Sequence, residues 1–327
     1  MNPFVSIIIP TFNREQMLSK TLDSFLDQDF PSGNFQILVC NNNSTDKTQD
    51  IIDEYAVKFP NLIIPVFEKR QGVHYARNTA ALHANGDWLY FTDDDMVANP
   101  DLLEKLFSPC NLFPEIDVLT GKVIPLWEVP PPDWILEHCQ NGYLSLQLRN
   151  ENLIISPSDV GVYSCHEAIK KDVFFSTGGF NPENTAGRWI GDGETGLSIK
   201  LEKEGAIFGF VGDSVIYHMI PEARLTQKYL NVRFSNQASS DTCTEFRSGE
   251  SDTWPLFKSA FLWFLRAPVY LLFCLLYRVS MNSKWHIFRA KLSYSIQKSR
   301  YKIKLIFDND LRQLLMKDDW LSEENND

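Results

Sequence analysis

The sequence lacks the signatures of several large enzyme classes. No Gly-x-Gly-x-x-Gly segment follows the first predicted strand, and the 327 residues contain no Gly-x-x-x-x-Gly-Lys-Ser/Thr segment. These absences disfavour a nicotinamide-dinucleotide fold and a P-loop nucleotide site. The six cysteines are scattered, without a Cys-x-x-Cys pair, so we expect free thiols in a reducing compartment rather than a zinc site or a disulfide framework.

A secretory leader is missing too, because Met1-Asn2-Pro3 runs directly into an apolar strand. This start predicts a cytoplasmic protein.

One sign of charge is also missing from a long segment: residues 254–307 hold ten Lys or Arg and no Asp or Glu. The remainder holds 21 basic and 42 acidic residues, so the division predicts an anionic partner for the basic segment.

Apolar runs alternate with segments of helical spacing through the first hundred residues. Four runs are typical of strands covered on both faces of a parallel sheet, namely residues 4–10, 35–40, 62–67 and 88–92. The alternation predicts an α/β fold with a mostly parallel central sheet and helices on both faces. Ligands of such sheets bind beyond the carboxyl ends of the strands, where three polar turns fall, at residues 11–14, 41–46 and 93–95.

The densest of these turns is Asp93-Asp94-Asp95, directly after the strand 88–92. Three adjacent carboxylates repel one another, which raises their pKa values unless a cation lies among them. Hard oxygen ligands at the end of a strand suit Mg²⁺ or Mn²⁺, and Mg²⁺ is usually shared with substrate phosphates. On this triplet alone, an acidic turn that caps the next helix is the alternative.

Five motifs in series resemble the inverting family 2 glycosyltransferases of the GT-A fold. They are Ile7-Ile8-Ile9-Pro10-Thr11-Phe12-Asn13-Arg14, Asn42-Asn43-Ser44-Thr45-Asp46, Gly72 with Ala76-Arg77-Asn78, Gly86-Asp87 and Asp93-Asp94-Asp95. Their order and spacing match the family, which implies a GT-A catalytic domain over residues 1–222. Within it, residues 1–100 would be the nucleotide-sugar half and residues 101–222 the acceptor half.

The resemblance implies a nucleotide-sugar donor, with a UDP-sugar as the expected ligand and no nucleic-acid partner. The donor-binding residues that it implies are Pro10, Thr11, Asn13, Arg14, Asn41, Asn43, Gly72, Arg77, Asn78, Asp93, Asp94 and Arg224. The family usually has Asp where this chain has Asn41, and that acid accepts the N3–H of uracil. Asn keeps a carbonyl acceptor but loses the charge, which leaves the identity of the base open.

The resemblance also implies a divalent cation, Mn²⁺ or Mg²⁺, that bridges the donor diphosphate. The matching ligands are Asp95, Asp93 and His218, and imidazole suits Mn²⁺ better than Mg²⁺. The segment 189–197 is similar to the one that carries the family's catalytic base. Glu194 takes that position, with Asp192 as the alternative, and the base accepts the proton of the acceptor hydroxyl in a single displacement with inversion.

The acceptor, a glycan or a lipid-linked glycan, is expected to meet aromatic side chains of the second half. The candidates are Trp127 and Trp134 in the proline-rich stretch 125–134, and Trp189 beside the catalytic segment. Packing of an apolar loop is the alternative for the first two.

The remaining chain divides into a helical, basic and apolar extension at 223–307 and an acidic tail at 308–327, which is expected to be mobile. The stretch 259–277 is close to the length that spans a bilayer. Because the catalytic domain and the basic residues both belong in the cytosol, we expect a helix that lies in an anionic membrane surface, peripheral or monotopic at the inner face of the cell membrane. Burial against the catalytic domain or in a dimer is the alternative.

Together these features predict an inverting, metal-dependent glycosyltransferase of polysaccharide, lipid-linked glycan or glycoconjugate biosynthesis. One alternative is a sugar nucleotidyltransferase, but that class carries a Gly-rich loop with Arg and Lys after its first strand. The other is a non-catalytic subunit that binds a nucleotide-sugar, which would not need its acids.

Overall fold

The structure is a computed structural model, and it describes residues 3–31 and 33–322. The strands are β1 (Val5–Thr11), β2 (Phe35–Asn41), β3 (Ile63–Phe67), β4 (Trp88–Thr92), β5 (Met96–Ala98), β6 (Val118–Trp127), β7 (Leu153–Ser156), β8 (His166–Lys170), β9 (Asn184–Thr185), β10 (Arg188–Trp189) and β11 (Phe208–Ile220). The helices are α1 (Leu18–Leu26), α2 (Thr48–Lys58), α3 (Val73–Leu82), α4 (Leu102–Phe107), α5 (Asp133–His138), α6 (Lys171–Ser176), α7 (Gly193–Lys203), α8 (Gln227–Arg247), α9 (Thr253–Val279), α10 (Trp285–Phe307) and α11 (Asn309–Leu315).

A nine-stranded sheet with the order β3-β2-β1-β4-β8-β6-β11-β5 forms the centre, and β7 pairs with β11 beside it. Strands β1 to β4, β6 and β11 run in one direction, whereas β5, β7 and β8 run against them. The predicted mostly parallel α/β sheet is therefore confirmed. A separate ribbon consists of β9 and β10.

Alternate residues of β1 enter two different cores, which explains its continuously apolar sequence. Ile7 and Ile9 pack with the apolar face of α1, whereas Ile8 packs with Ala76 and Ala80 of α3. Helices thus cover both faces of the sheet, as a parallel sheet requires. The same arrangement brings the ends of β1 and β2 side by side, with Thr11 in register with Asn41.

Two predicted boundaries are wrong. The polar turn predicted at 11–14 extends to residue 17, so α1 begins at Leu18, and the side chain of Arg14 contacts the acidic triplet. The proline-rich stretch 125–134 is not one loop: β6 extends to Trp127, and α5 begins at Asp133.

The C-terminal helices share a core with the sheet. Leu225, Leu230 and Phe234 belong to the same buried cluster as β1 and β4, and so does Ala290 of α10. The extension 223–307 is helical as predicted, but no break in packing marks its boundary at residue 222.

Two lysines of the basic segment 254–307 form ion pairs inside the fold. Lys298 Nζ lies 2.6 Å from Glu245 Oε1, and Lys302 Nζ lies 2.7 Å from Glu245 Oε2 and 3.0 Å from Glu250 Oε2. Both lysines are buried, whereas the side chains of Glu245 and Glu250 are 35% and 51% exposed. These pairs tie α8 to α10, and they leave eight of the ten basic residues of 254–307 for other contacts.

The predicted mobile tail is wrong for its described part. Residues 309–315 form α11, and Leu311, Leu315 and Trp320 are buried in a cluster with α8 and α10. Apolar residues at helical spacing in this short acidic segment explain the difference. Residues 323–327 of the tail lie outside the described residues.

Glu167 generates a prediction about stability and pH. It is buried on β8, opposite Phe91 and Thr120, where burial and then the charge of Glu194 raise its pKa to about 8. Between the unfolded pKa and this value the folded state holds a proton that the unfolded chain has lost, so stability falls as pH rises. We expect Glu167→Gln, which stays neutral, to gain about 1.4 kcal/mol relative to wild type for each pH unit between about pH 5 and pH 8.

The measurement is the free energy of unfolding in urea at a series of pH values. Glu54→Gln on the exposed side of α2 is the matched control, and its curve should run parallel to that of wild type. A constant difference between Glu167→Gln and wild type over this pH range would contradict the raised pKa.

Candidate active site

Each carboxylate of the acidic triplet is paired with an arginine from a different part of the chain. The pairs are Asp93 Oδ1 with Arg77 Nη2 at 2.6 Å, Asp94 Oδ1 with Arg14 Nε at 3.1 Å, and Asp95 Oδ2 with Arg224 Nη2 at 2.7 Å. The repulsion expected within the triplet is therefore offset by three guanidinium groups. These come from α3, from the turn after β1 and from the segment after β11.

The pKa values of Asp95 and Asp94 are shifted in opposite directions. Burial opposes the charged form of Asp95, but the hydrogen bond and charge of His218, followed by the charges of Arg224 and Arg14, outweigh burial and hold the pKa of Asp95 well below its usual range. Burial and then the charge of Asp95 raise the pKa of Asp94 to about 7 despite Arg14. Asp95 is therefore the carboxylate of this pair that is suited to a cation.

His218, on β11, faces Asp95 across the end of the sheet. Its Nε2 lies 3.7 Å from Asp95 Oδ2, and its Nδ1 lies 2.9 Å from the carbonyl oxygen of Leu144. Because a carbonyl can only accept, Nδ1 donates to Leu144, and Nε2 is the ring nitrogen that faces Asp95. Arg224 Nη1 lies 2.5 Å from that nitrogen, so its guanidinium bridges Asp95 and His218.

Asp95 and His218 fit a divalent cation. They offer one carboxylate oxygen and one imidazole nitrogen to the same space, and the Nδ1–H of the histidine is fixed by a backbone carbonyl, as is usual for a metal ligand. Such a cation would complete its shell with water and phosphate oxygens. Asp93, the third predicted ligand, is paired with Arg77 instead. Over residues 3–31 and 33–322, no group of three or more His, Cys, Asp or Glu side chains is arranged to hold a metal ion.

A cleft of about 420 Å³ opens in front of the triplet, and we call it the donor cleft. The predicted residues that line it are Pro10, Thr11, Arg14, Gly72, Asp93, Asp94, Asp95 and Arg224. At Gly72 the backbone φ is +149°, and a Cβ there would lie 3.2 Å from the carbonyl oxygen of Asn184. Glycine is needed at this position because both the backbone conformation and the close approach disfavour a side chain.

Asn41 and Asn42, at the end of β2, are placed differently relative to the donor cleft. Asn41 is 3% exposed, its amide donates to Gln49 Oε1 at 2.6 Å, and its Oδ1 accepts from the backbone N–H of Ser44 at 2.9 Å. Asn42, which we did not single out as a site residue, lines the donor cleft. Its Oδ1 accepts from the backbone N–H of Gly72 at 2.7 Å, which ties the second turn to the loop before α3.

Asn13 and Asn43 shape the turns and are not part of the cleft lining among the described residues. Both have a positive φ, 54° and 63°, which Asn tolerates better than most residues. Asn13 Oδ1 accepts from the backbone N–H of Thr45 at 2.8 Å, so it joins the turn after β1 to the turn after β2.

Arg77 and Asn78 are neighbours on α3 with different roles. Asn78 is fully buried, and its amide and Oδ1 both bond to the backbone of Phe180 at 3.0 Å. The predicted donor contact of Asn78 is therefore wrong, because its side chain locks α3 to the turn at 178–180. Arg77 is 2% exposed and lies between Asp93 and Glu194, with Nη1 3.9 Å from Glu194 Oε1.

A second cavity of about 240 Å³ shares Asp93 and Val73 with the donor cleft, and we call it the inner cavity. Glu194, in the first turn of α7, lines it and accepts a hydrogen bond from the hydroxyl of Ser164. The side chain of Glu194 is 40% exposed, so a ligand can reach its carboxylate.

Asp192 is placed differently from Glu194. It is 1% exposed, its Oδ1 accepts from Asn181 Nδ2 at 2.6 Å, and its Oδ2 lies 3.4 Å from Arg247 Nε. Both oxygens are therefore engaged inside the fold at the start of α7. The geometry thus favours Glu194, the residue predicted from the sequence, over the alternative Asp192.

Three ionisable residues of the inner cavity were not predicted from the sequence, namely His74, Glu183 and Arg233. His74 is buried, which lowers its pKa well below the usual range and keeps it neutral. Burial and then the charge of Glu194 raise the pKa of Glu183 to about 7. Arg233 comes from α8, in the segment that the sequence assigned to membrane association. No local motif marks these residues, because tertiary packing alone brings them together.

The three tryptophans predicted to meet an acceptor lie in the described part of the chain, and none of them lines the donor cleft or the inner cavity. Trp134 stacks on His286, with ring centroids 4.0 Å apart at 5°. Trp127 packs against the main core. Trp189 packs against the C-terminal cluster, and its carbonyl oxygen accepts from Tyr301 at 2.7 Å. These contacts favour packing for all three, which was the stated alternative for Trp127 and Trp134.

Comparison with known proteins supports a glycosyltransferase family. Residues 6–135 match the family model described as Glycosyl transferase family 2. A dolichyl N-acetyl-alpha-D-glucosaminyl phosphate 3-beta-D-2,3-diacetamido-2,3-dideoxy-beta-D-glucuronosyltransferase of Methanococcus voltae is 47% identical over 103 residues, which are 31% of this chain and 32% of that protein. The match thus spans about a third of the length of that curated relative.

Two solved structures share the fold over most of the chain. The mannosyltransferase PcManGT from Pyrobaculum calidifontis, in complex with GDP-Man and Mn²⁺, has a TM-score of 0.61 and 19% identity over 93% of this chain and 88% of that chain. S. aureus TarS 1–349 in complex with UDP has a TM-score of 0.50 and 16% identity over 92% of this chain and 91% of that chain. At these identities the likeness shows the fold alone. Residues 6–135 are therefore similar to the family 2 glycosyltransferases, and the chain has the GT-A fold.

Proposed function

We propose that the protein is an inverting, metal-dependent glycosyltransferase that moves a sugar from a nucleotide-diphosphate donor to a hydroxyl group of a glycan or lipid-linked acceptor. The observation that carries the proposal is the junction of two cavities at Asp93. Asp95 and Arg224 line the cleft on one side of this junction, and Glu194 lines the cavity on the other. The match to family 2 supports the class of reaction.

In the proposed complex the nucleotide lies in the donor cleft, and the diphosphate faces Arg14 and Arg224. Guanidinium groups bind phosphate bidentately, and both of these already lie at the acidic triplet. Asp95 and His218 would hold the cation, Mn²⁺ or Mg²⁺, which when bound offsets the negative charge that develops on the departing nucleoside diphosphate. Arg224 is positioned to exchange its contact with Asp95 for a phosphate oxygen. We propose UDP as the nucleotide, in line with the family resemblance.

Glu194 is proposed as the general base. It accepts the proton of the acceptor hydroxyl while that oxygen bonds to the anomeric carbon and the bond from that carbon to the diphosphate breaks. Ser164 and Arg77 hold its carboxylate at the junction. Because base and leaving group lie on opposite sides of the junction, a single displacement inverts the anomeric carbon.

We propose in addition that α9 contacts the cytosolic face of a membrane. In the part of the chain that the structure describes, α9 is the one helix long and apolar enough to cross a bilayer, and 17% of its most apolar window is buried. The positions that it buries carry mainly small side chains: Leu256, Ala260, Ala267 and Cys274. The exposed ones carry large apolar side chains, including Phe261, Phe264, Leu265, Leu272 and Leu276.

A helix that packs onto a protein core buries its large apolar side chains, whereas α9 exposes them. This distribution suits a helix that lies in a lipid surface with its outer face among the acyl chains. Exposed basic residues of the segment 254–307, such as Arg278 on α9 and Arg289 and Arg300 on α10, would meet anionic lipid heads.

Replacement of the proposed base tests the reaction. We expect Glu194→Gln to lower the rate of transfer by about 10²- to 10⁴-fold, because it removes the proton acceptor but keeps the shape of the side chain. The KM for the donor should stay within about twofold, since Glu194 does not line the donor cleft. The measurement is release of the nucleoside diphosphate, with the donor found by a screen of UDP- and GDP-sugars.

Asp192→Asn is the matched control for this measurement. It should lower the melting temperature, because Arg247 loses a buried partner, while the folded fraction keeps a transfer rate well above that of Glu194→Gln. Full activity of Glu194→Gln together with loss of activity in folded Asp192→Asn would move the base to Asp192.

Introduction of negative charges on the exposed face of α9 tests the membrane contact. Leu265 and Leu272 are seven residues apart and 48% and 55% exposed. We expect Leu265→Asp with Leu272→Asp to abolish flotation with phosphatidylglycerol vesicles, because buried carboxylates oppose insertion among acyl chains. The control is Val57→Asp with Leu112→Asp, at positions 83% and 78% exposed elsewhere. Equal flotation of the two double variants would refute the contact.

A further inference from the structure

The inner cavity continues into a larger groove of about 500 Å³ between the segment 141–163, α7 and α8. We call it the outer groove. Four residues line both spaces, namely Glu194, Thr195, Arg233 and Gln237. The outer groove is further lined by Tyr143, Asp159, Tyr163, Ser198 and Glu202. A ligand in the outer groove can therefore extend to Glu194.

We propose that the outer groove is the acceptor-binding site and that it takes a neutral glycan chain whose terminal hydroxyl group reaches Glu194. This inference rests on the proposed function, because it takes Glu194 as the base. It replaces the three tryptophans expected from the sequence with residues of 141–163, α7 and α8.

The end of this path is built for a polar ligand. His74 and Arg77 line the inner cavity and are 3% and 2% exposed. Among the described residues, neither ring nitrogen of His74 has a hydrogen-bond partner, nor does Nε of Arg77. Buried polar atoms are normally paired, and an unpaired one costs free energy until water or a ligand satisfies it. The fold thus leaves polar atoms beside Glu194 that a sugar hydroxyl can satisfy.

Two tyrosines give the outer groove its apolar surface. Tyr143 packs on Phe234 of α8 with ring centroids 4.5 Å apart, which fixes the orientation of its ring. Tyr163 lies against the backbone at Gly142, where a Cβ would approach its hydroxyl to 2.8 Å. Both rings are half-buried, so each keeps an accessible part. Such rings combine an apolar body with a polar tip, which matches the C–H faces and hydroxyl groups of a sugar.

The charges of the outer groove favour a neutral ligand over a polyanion. Asp159, Glu194 and Glu202 line it, against Arg233 as its one cation among the described lining residues. A polyol-phosphate chain would place its phosphates near these carboxylates, and like charges at close range cost binding energy. Hydroxyl groups of a neutral glycan can donate to the carboxylates and to the amide oxygen of Gln237.

Helix α8 connects this site to the proposed membrane helix. It contributes Arg233 and Gln237 to the groove, and Arg233 is held by a hydrogen bond to the carbonyl oxygen of Gly142 at 3.3 Å. Helix α9 follows α8 after five residues. The C-terminal segment is therefore part of the acceptor site as well as an attachment to a surface.

Saturation-transfer NMR with defined neutral glycans tests the proposal, because it detects weak binding without knowledge of the donor. The probes are cellotetraose, maltotetraose, chitotetraose and mannotetraose, each with the full chain, and ribitol 5-phosphate serves as the anionic probe. We expect at least one tetrasaccharide to receive saturation. Tyr163→Ala should reduce this signal at least fivefold, because it removes a wall of the groove, whereas Tyr55→Ala on α2 should keep it. Gln237→Ala is a second variant of the groove, for the case that Tyr163→Ala fails to fold.

The proposal is overturned if no tetrasaccharide binds, if the folded groove variants bind as well as wild type, or if only ribitol 5-phosphate binds. Titration with UDP and Mn²⁺ on the same samples distinguishes failure of the acceptor-site proposal from failure of the proposed function. Nucleotide binding without glycan binding would refute the acceptor site alone, whereas absence of both would also refute the proposed function.

Discussion

The mutual repulsion of Asp93, Asp94 and Asp95 is the constraint on which the site depends. Carboxylates this close in a partly buried turn repel by several kcal/mol at an effective dielectric constant of about 20. Three arginines offset the repulsion, and they come from positions 14, 77 and 224 of the chain. The triplet therefore determines where the first turn, α3 and the segment after β11 must lie, and these are the elements that line the donor cleft.

Arg77 extends the same constraint to the second half of the site. It is buried and pairs with Asp93, and its Nη1 lies 3.9 Å from Glu194 Oε1. One side chain thus holds the end of β4 and the start of α7 at a fixed separation, and the two cavities meet at that point. The C-terminal helices complete the arrangement: α8 supplies Arg233 to the cavity, and ion pairs of Lys298 and Lys302 with Glu245 of α8 keep α10 against it.

The fold and the donor cleft were predictable because they depend on local patterns. Continuous apolar strands, polar turns and the acidic triplet all lie in short stretches, and the parallel sheet brings their ends together. The misses share a different cause. Asn78 and Trp134 looked like ligand contacts, but tertiary partners, Phe180 and His286, engage them. Arg233 could not be assigned to the site, because its place depends on how α8 packs against 141–163, which no spacing in the sequence records.

The central claim is that the acidic triplet with His218 forms a site for a metal ion and a nucleoside diphosphate. The most direct measurement is calorimetric titration of the protein with UDP, and with GDP in parallel, in Mn²⁺ and in EDTA. We expect one nucleotide to bind, and we expect binding to require Mn²⁺ and to be abolished by Asp95→Asn but not by Asp27→Asn at the exposed end of α1. Equal nucleotide affinity in Mn²⁺ and EDTA, or unchanged affinity in Asp95→Asn, would contradict the account.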